Sequence, residues 1–159
     1  MVTAYSEKDT LVKVVLTPEQ LREGVERLAH EVAVYYDHKP VTLVGVLTGS
    51  VVLIADLMRT LDMPLRLGFV QAASYRGKGT TPGHLAIHAD FLPDLRGQDV
   101  LVVDDIFDTG RTLSKLITDV KLFGAKSVRS LVLLRKHGRK EVGLEPDHVG
   151  FEIPNEFVV

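Results

Sequence analysis

The chain has no cysteine, little net charge and no long apolar run, and each of these absences excludes a class of function. Without cysteine among its 159 residues, the protein has neither a disulfide framework nor a catalytic thiolate. A net charge of −2 argues against a broad nucleic-acid-binding surface. No apolar run approaches a membrane span, and the first ten residues carry charges instead of a signal-peptide core. We therefore expect a cytoplasmic protein without a membrane or nucleic-acid partner.

What the chain does contain is enough apolar sequence for one folded domain over residues 1–159. Apolar residues make up 45% of it, which suffices for a proper core. Short continuous apolar runs, typical of buried strands, occur at residues 41–47, 100–103 and 128–134. Helical patterns follow the first two runs. This alternation predicts an α/β fold, a mainly parallel central sheet flanked by helices.

A further helix is predicted before the first of these strands. Thr17 and Gln20 have the spacing of a capping box, and Pro18 stands at the first helical position. Apolar residues then recur at steps of three and four, as on a helix packed against a sheet. The predicted buried stripe consists of Leu21, Val25, Leu28, Val32 and Tyr35.

The most informative stretch follows the apolar run at residues 100–103. Two carboxylates, Asp104 and Asp105, are predicted at the carboxyl end of this strand, where ligands of open α/β sheets bind. The loop beyond them consists of Asp108, Thr109, Gly110, Arg111 and Thr112 and leads into a helical pattern. A small, hydroxyl-rich loop at a helix N-terminus favours an anion such as phosphate. A phosphate beside acidic residues suggests a sugar phosphate with a divalent metal.

Two other predicted strands end in segments with possible ligand contacts. The segment Leu47, Thr48, Gly49 and Ser50 is a strand-to-helix turn, a weak signal alone because such turns need small residues for geometry. Residues 135–140 form a basic cluster that would ordinarily be a solvated charge run. At the end of another sheet strand, this cluster can converge on the edge that carries Asp104.

Taken together, these motifs resemble those of the type I phosphoribosyltransferases. The string from residue 100 to residue 112 is similar to their signature for phosphoribosyl pyrophosphate (PRPP), and the resemblance extends over nearly the whole chain from about Leu16. It implies the fold of that family, with a small hood built from the termini and a mobile lid loop. Ser74 and Tyr75 would lie at the hinge of that lid. The family's C-terminal hood segment is expected to be missing after Val159.

The same resemblance implies roles for single residues. Residues 108–112 would wrap the 5′-phosphate, while Asp104 and Asp105 would face the ribose hydroxyls and Mg²⁺, through those hydroxyls or water. Leu47, Thr48 and Gly49 would form the pyrophosphate loop, in which a cis peptide precedes the second residue. Many relatives have lysine in place of Thr48, so a charged contact is not expected there. Arg139 or Lys140 would lie near pyrophosphate. The purine contacts would be Ile106, Lys136, Phe157 and Val158.

Two positions within the resemblance indicate the base. Asp108 would accept a proton from, or hydrogen-bond to, N7 of a purine, as the catalytic residue. Lys136 would donate to a 6-oxo group and not to a 6-amino group. The expected reaction is transfer of the phosphoribosyl group to N9 of hypoxanthine or guanine in a homodimer or homotetramer. A xanthine-preferring enzyme and a PRPP-sensing or RNA-binding regulator remain the alternatives.

Overall fold

The computed structural model describes residues 2–6, 9–74, 85–155 and 157–158. Within this described part of the chain, no helix has the length and apolarity needed to cross a membrane. The helices are α1 (Pro18–Tyr36), α2 (Val51–Thr60) and α3 (Arg111–Leu122). The strands are β1 (Val2–Ser6), β2 (Asp9–Leu16), β3 (Val41–Leu47), β4 (Leu65–Ser74), β5 (Leu85–Phe91), β6 (Asp99–Phe107), β7 (Ser127–Lys136), β8 (His148–Ile153) and β9 (Phe157–Val158).

Six strands form the central sheet in the order β5-β4-β3-β6-β7-β8. All neighbours are parallel except β4 and β5. Successive residues of β6 face opposite sides, so Leu101 and Val103 pack with α1 and α2. Val100 and Val102 pack with α3 on the other face. The prediction of a mainly parallel sheet flanked by helices is confirmed.

Helix α1 begins as its sequence predicts. The Thr17 hydroxyl accepts from the Gln20 amide, and the Gln20 side chain accepts from the Thr17 amide at 2.8 Å. The predicted end of the buried stripe is wrong, however. Tyr36 is 6% exposed and donates to the Val100 carbonyl, whereas Tyr35 is 47% exposed. A step of four from Val32 reaches Tyr36, so the stripe stays on one face of the helix.

Strand β6 is longer than predicted, and the acidic pair belongs to it. Parallel pairing with β3 stops at Val103, but pairing with β7 continues to Phe107, which lies opposite Arg135. The strand therefore continues through Asp104 and Asp105 because β7 still supplies hydrogen bonds on one side. On its other side, the end of β6 is left open to the segment that follows β3.

A second, three-stranded sheet has the order β2-β1-β9 and joins the two ends of the chain. Val2 and Leu16 of this sheet pack with Leu134 and Ile153 of the central sheet, and Ile106 lies against the same cluster. The hood predicted from the termini is thus confirmed and is anchored beside the carboxyl ends of β6 and β7. Of the predicted lid hinge, Ser74 is the last residue of β4, and Tyr75 lies outside the described residues.

Candidate active site

Three segments leave the same edge of the central sheet and surround the end of β6. They follow β3, β6 and β7. Because these strands are parallel, their carboxyl ends lie at the same edge of the sheet. The first segment contains Thr48 and Gly49, the second residues 108–110, and the third the basic residues after Lys136. The sheet topology therefore brings together the three segments that the sequence singled out separately.

The acidic pair at the end of β6 has no positive partner in the part of the chain that the structure describes. Asp104 is 9% exposed, and its Oδ1 accepts from the Asp105 amide at 3.0 Å. Asp105 Oδ1 accepts in turn from the Ile106 amide at 2.8 Å. Among the described residues, no basic side chain forms a salt bridge with either carboxylate. Burial, together with the neighbouring Asp105 carboxylate, raises the pKa of Asp104 well above its ordinary value.

The segment after β3 lies directly against this pair. A Cβ atom at position 49 would collide with the Asp105 carboxylate, so any other residue there would displace that side chain. The Leu47–Thr48 peptide bond is cis, as the resemblance led us to expect. The buried Ser50 hydroxyl donates to the Val46 carbonyl at 2.7 Å and fixes the turn to the strand before it. The Thr48 and Gly49 backbone is thereby held beside Asp105.

The loop after β6 has the geometry of an anion site at the start of α3. Gly110 has φ +81° and immediately precedes the helix, whose first amides lack acceptors within the helix. A Cβ at position 110 would lie 2.6 Å from the Phe107 ring and from Val142. Both this clash and the positive φ therefore favour glycine at this position. The Thr109 hydroxyl accepts from the Arg111 amide at 3.4 Å. These amides and the helix dipole can hold a phosphate.

Lys136 lies at the end of β7, next to the start of this loop. Since Phe107 pairs with Arg135, Asp108 and Lys136 are the next residues along two adjacent chains. Lys136 is half-buried, and its side chain has no hydrogen-bond or salt-bridge partner among the described residues. Its basic neighbours are all neutralised: Arg135 by Glu145 and Glu152, Arg139 by Asp108, and Lys140 by Glu145. Among the residues that the structure describes, Lys136 is therefore the one cation of the cluster whose side chain has no acidic partner.

Two predicted purine contacts, Phe157 and Val158, are described only by their backbone. They form β9 and pair with Tyr5 and Ala4 of β1, so their side-chain roles remain predictions. The third, Ile106, is half-buried beneath the hood. Metal binding also stays a prediction, since the described residues contain no cluster of three or more metal-binding side chains.

Sequence reasoning missed the residues that support the loop after β6. The Glu141 amide donates to the Thr109 carbonyl at 3.0 Å, and its carboxylate lies 2.5 Å from Arg111. Val142 packs against Gly110. Neither residue belongs to a recognisable motif, and both lie thirty or more positions from their partners. Only the pairing of β6 with β7 brings them into contact.

Comparison with known proteins places the chain in one family. Residues 14–159 match the family model described as the phosphoribosyl transferase domain. The chain belongs to the phosphoribosyltransferase family. It is 36% identical over 150 residues to a hypoxanthine-guanine phosphoribosyltransferase of Aquifex aeolicus, a match that covers 93% of this chain and 84% of that relative. The resemblance inferred from the signature is thus confirmed.

Solved structures and a longer relative agree with this phosphoribosyltransferase assignment. The crystal structure of a Bacillus anthracis hypoxanthine-guanine phosphoribosyltransferase superposes with a TM-score of 0.83 at 34% identity, covering 94% of this chain and 85% of that chain. A bifunctional protein TilS/HprT of Listeria innocua is 37% identical over 147 residues. That match covers 92% of this chain, which spans only 23% of the length of the Listeria protein.

Proposed function

We propose that this phosphoribosyltransferase acts in purine salvage and transfers the 5-phosphoribosyl group of PRPP to N9 of hypoxanthine or guanine. The products are IMP or GMP and pyrophosphate. The observation that carries the proposal is the placement of Asp108 beside Lys136, whose side chain has no partner among the described residues, at the edge that also holds the acidic pair. Relatives named hypoxanthine-guanine phosphoribosyltransferase support the choice of substrates.

The 5′-phosphate binds in the loop of residues 108–112. Its oxygens accept from the backbone amides at the N-terminus of α3 and from the hydroxyls of Thr109 and Thr112. Gly110 keeps this loop open because no side chain projects from its left-handed backbone. Arg111 lies at the first position of the helix, where Glu141 balances its charge. One phosphate thus fixes the sugar with its C1 directed along the sheet edge.

Asp104 and Asp105 face the ribose hydroxyls. Two adjacent carboxylates that have no basic partner within the described ranges suit Mg²⁺, which prefers oxygen ligands and keeps several waters. We propose that the pair holds Mg²⁺ through the ribose hydroxyls or water. When bound, this ion neutralises charge on the departing pyrophosphate. The carboxylates themselves orient the two hydroxyls by accepting hydrogen bonds from them.

The base lies between the ends of β6 and β7. Lys136 donates to the 6-oxo group, and Asp108 accepts a hydrogen bond or a proton from N7 while N9 attacks C1 of the ribose. Ile106, with Phe157 and Val158 of the hood, would cover the faces and edge of the purine. The new N9–C1 bond forms as the bond from C1 to the pyrophosphate oxygen breaks, with inversion at C1. Exclusion of water protects the cationic sugar during this step.

Pyrophosphate leaves toward the segment after β3. The backbone of Leu47, Thr48 and Gly49 lies beside Asp105 and supplies uncharged donors, because Thr48 carries no positive charge. We assign the charged contact to Lys140, which follows β7 on the same sheet edge. Its present partner is Glu145, so binding of pyrophosphate would exchange one anion for another.

We also infer that the protein forms a homodimer or homotetramer, as the resemblance implies. The first turn of α2 supports this inference, because Val51 and Val52 are 42% and 71% exposed directly after the pyrophosphate segment. Sedimentation velocity of the purified chain tests it. A single species at the mass of one chain would contradict it.

The proposed reaction is tested by nucleotide formation from PRPP and Mg²⁺ with five separate bases. Hypoxanthine and guanine should yield IMP and GMP, while adenine and uracil should yield no product. Xanthine tests the breadth of the base pocket, since Lys136 reaches only the 6-oxo group. Intact PRPP binding without turnover of any base would contradict the proposal and indicate a PRPP sensor.

A further inference from the structure

Asp108, the proposed proton acceptor, already has a partner in the structure. Arg139 Nε donates to Asp108 Oδ1 at 2.9 Å, and its Nη2 lies 3.5 Å from Oδ2. This hydrogen bond raises the pKa of Arg139. The two side chains are 46% and 36% exposed, so their attraction alone is weak. The position of the guanidinium, however, is fixed by more than this pair.

The segment that carries Arg139 contacts the phosphate loop, residues 108–112, at three further points. The Glu141 amide donates to the Thr109 carbonyl at 3.0 Å, and the Glu141 carboxylate lies 2.5 Å from Arg111. Val142 contacts Gly110 and packs with the core beneath α3. These contacts are made two and three residues after Arg139 and hold its backbone near Asp108, which reduces the entropy cost of keeping the ion pair.

Of the two basic residues in this segment, only Arg139 contacts Asp108. The Lys140 ammonium pairs instead with Glu145, which also accepts from Arg135 at 2.9 Å. Arg139 leaves part of the Asp108 carboxylate free, since a carboxylate offers about four acceptor sites and Arg139 approaches it through two nitrogens. A purine N–H can therefore share Asp108 with Arg139.

We propose that Arg139 is a positioning residue for the reaction, which holds the Asp108 carboxylate toward the base site beside Lys136 instead of binding pyrophosphate. This inference rests on the proposed function, because it takes Asp108 as the group that meets N7. Its physical basis is orientation: a catalytic group that loses a fixed partner spends less time in the productive geometry.

The test compares steady-state kinetics of the wild-type protein with Arg139→Ala and Arg139→Lys, using hypoxanthine and PRPP. Arg139→Ala should lower kcat about 5- to 10-fold, with the KM for PRPP unchanged. Arg139→Lys should recover part of the loss, because lysine can donate one hydrogen bond but not the fork of an arginine. Arg96→Ala is the matched control, as it removes an exposed Arg–Asp pair with Asp94 far from the site.

A double variant separates positioning from a general structural effect. In an Asp108→Asn background, Arg139→Ala should cause no further loss of kcat, because residues that act together are not additive. A raised KM for PRPP at unchanged kcat would overturn the inference and show a pyrophosphate contact. Equal kcat in wild type and Arg139→Ala would also overturn it. Failure of the proposed function itself is distinguished by the wild-type protein, which would then form no nucleotide.

Discussion

Strand β6 carries aspartates at both of its ends, and the surroundings of the two ends shift the pKa of Asp99 and that of Asp104 in opposite directions. At the amino end, Asp99 accepts from Lys126 at 2.8 Å and from Ser127 at 2.6 Å. These hydrogen bonds hold the pKa of Asp99 below its ordinary value, and the bond from Lys126 has the larger effect. At the carboxyl end, Asp104 is buried next to Asp105, and burial and this second carboxylate raise its pKa.

This difference separates carboxylates that stabilise the fold from carboxylates that are held for a ligand. The fold itself supplies the cation for Asp99, so its charge contributes to stability at neutral pH. For Asp104, the described residues supply none, so its charge costs stability until a ligand provides positive charge. One strand thus contains both a structural and a functional acidic site, and three substitutions test the contrast.

Asp108→Asn should have the largest effect. Asparagine keeps the size of the side chain but cannot accept a proton, so kcat with hypoxanthine should fall by roughly 10²- to 10⁴-fold. PRPP affinity should change far less, because the backbone amides of the loop remain. Steady-state assays of nucleotide formation measure kcat, and calorimetric titration with PRPP measures the affinity. Unchanged turnover would exclude Asp108 as the proton acceptor.

Asp104→Asn should stabilise the protein, and more so at higher pH. The folded-state pKa of Asp104 is raised, so the protonated form is favoured in the native protein and stability is lost as pH rises through that pKa. A neutral asparagine avoids this loss. We expect a gain on the order of 2 kcal/mol at pH 8, or roughly 4–8 °C in Tm, and little gain near pH 4. Thermal melts with EDTA present measure the difference. A lower Tm at pH 8 would contradict it.

Asp99→Asn should have the smallest effect and the opposite sign. The folded-state pKa of Asp99 is lowered, so its contribution is present above the unfolded pKa and is lost as pH falls through the folded one. The variant should lose about 1 kcal/mol at pH 7, or roughly 2–4 °C in Tm, and nothing near pH 2. Its kcat should match wild type, which makes it the control for Asp108→Asn, since Asp99 begins the strand that Asp108 directly follows.

Much of the fold follows from local patterns in the sequence. The capping box at Thr17, the apolar run of β3 and the glycine after α3 each fix an element through neighbours only a few residues away. Where an element depends on a distant partner, local reasoning fails. The extent of β6 depends on how far β7 continues beside it, and no property of Asp104 or Asp105 indicates this.

The candidate site shows the same division. The phosphate loop and the acidic pair are recognisable because their chemistry lies in consecutive residues. The contacts of Arg139 and Glu141 join residues about thirty positions apart, and their charges alone would fit many other partners. A basic cluster in sequence therefore indicates a binding edge, but it does not show that Lys136 is the member without a side-chain partner among the described residues.

The central claim is that the carboxyl edge of the sheet, and Lys136 and Asp108 within it, select a 6-oxopurine for phosphoribosyl transfer. The most direct test is a competition in which the protein receives PRPP, Mg²⁺ and equal amounts of hypoxanthine and adenine in one reaction. We expect IMP in at least about 10²-fold excess over AMP, because a half-buried ammonium that donates to a carbonyl oxygen discriminates against an amino group. Comparable amounts of IMP and AMP would contradict it.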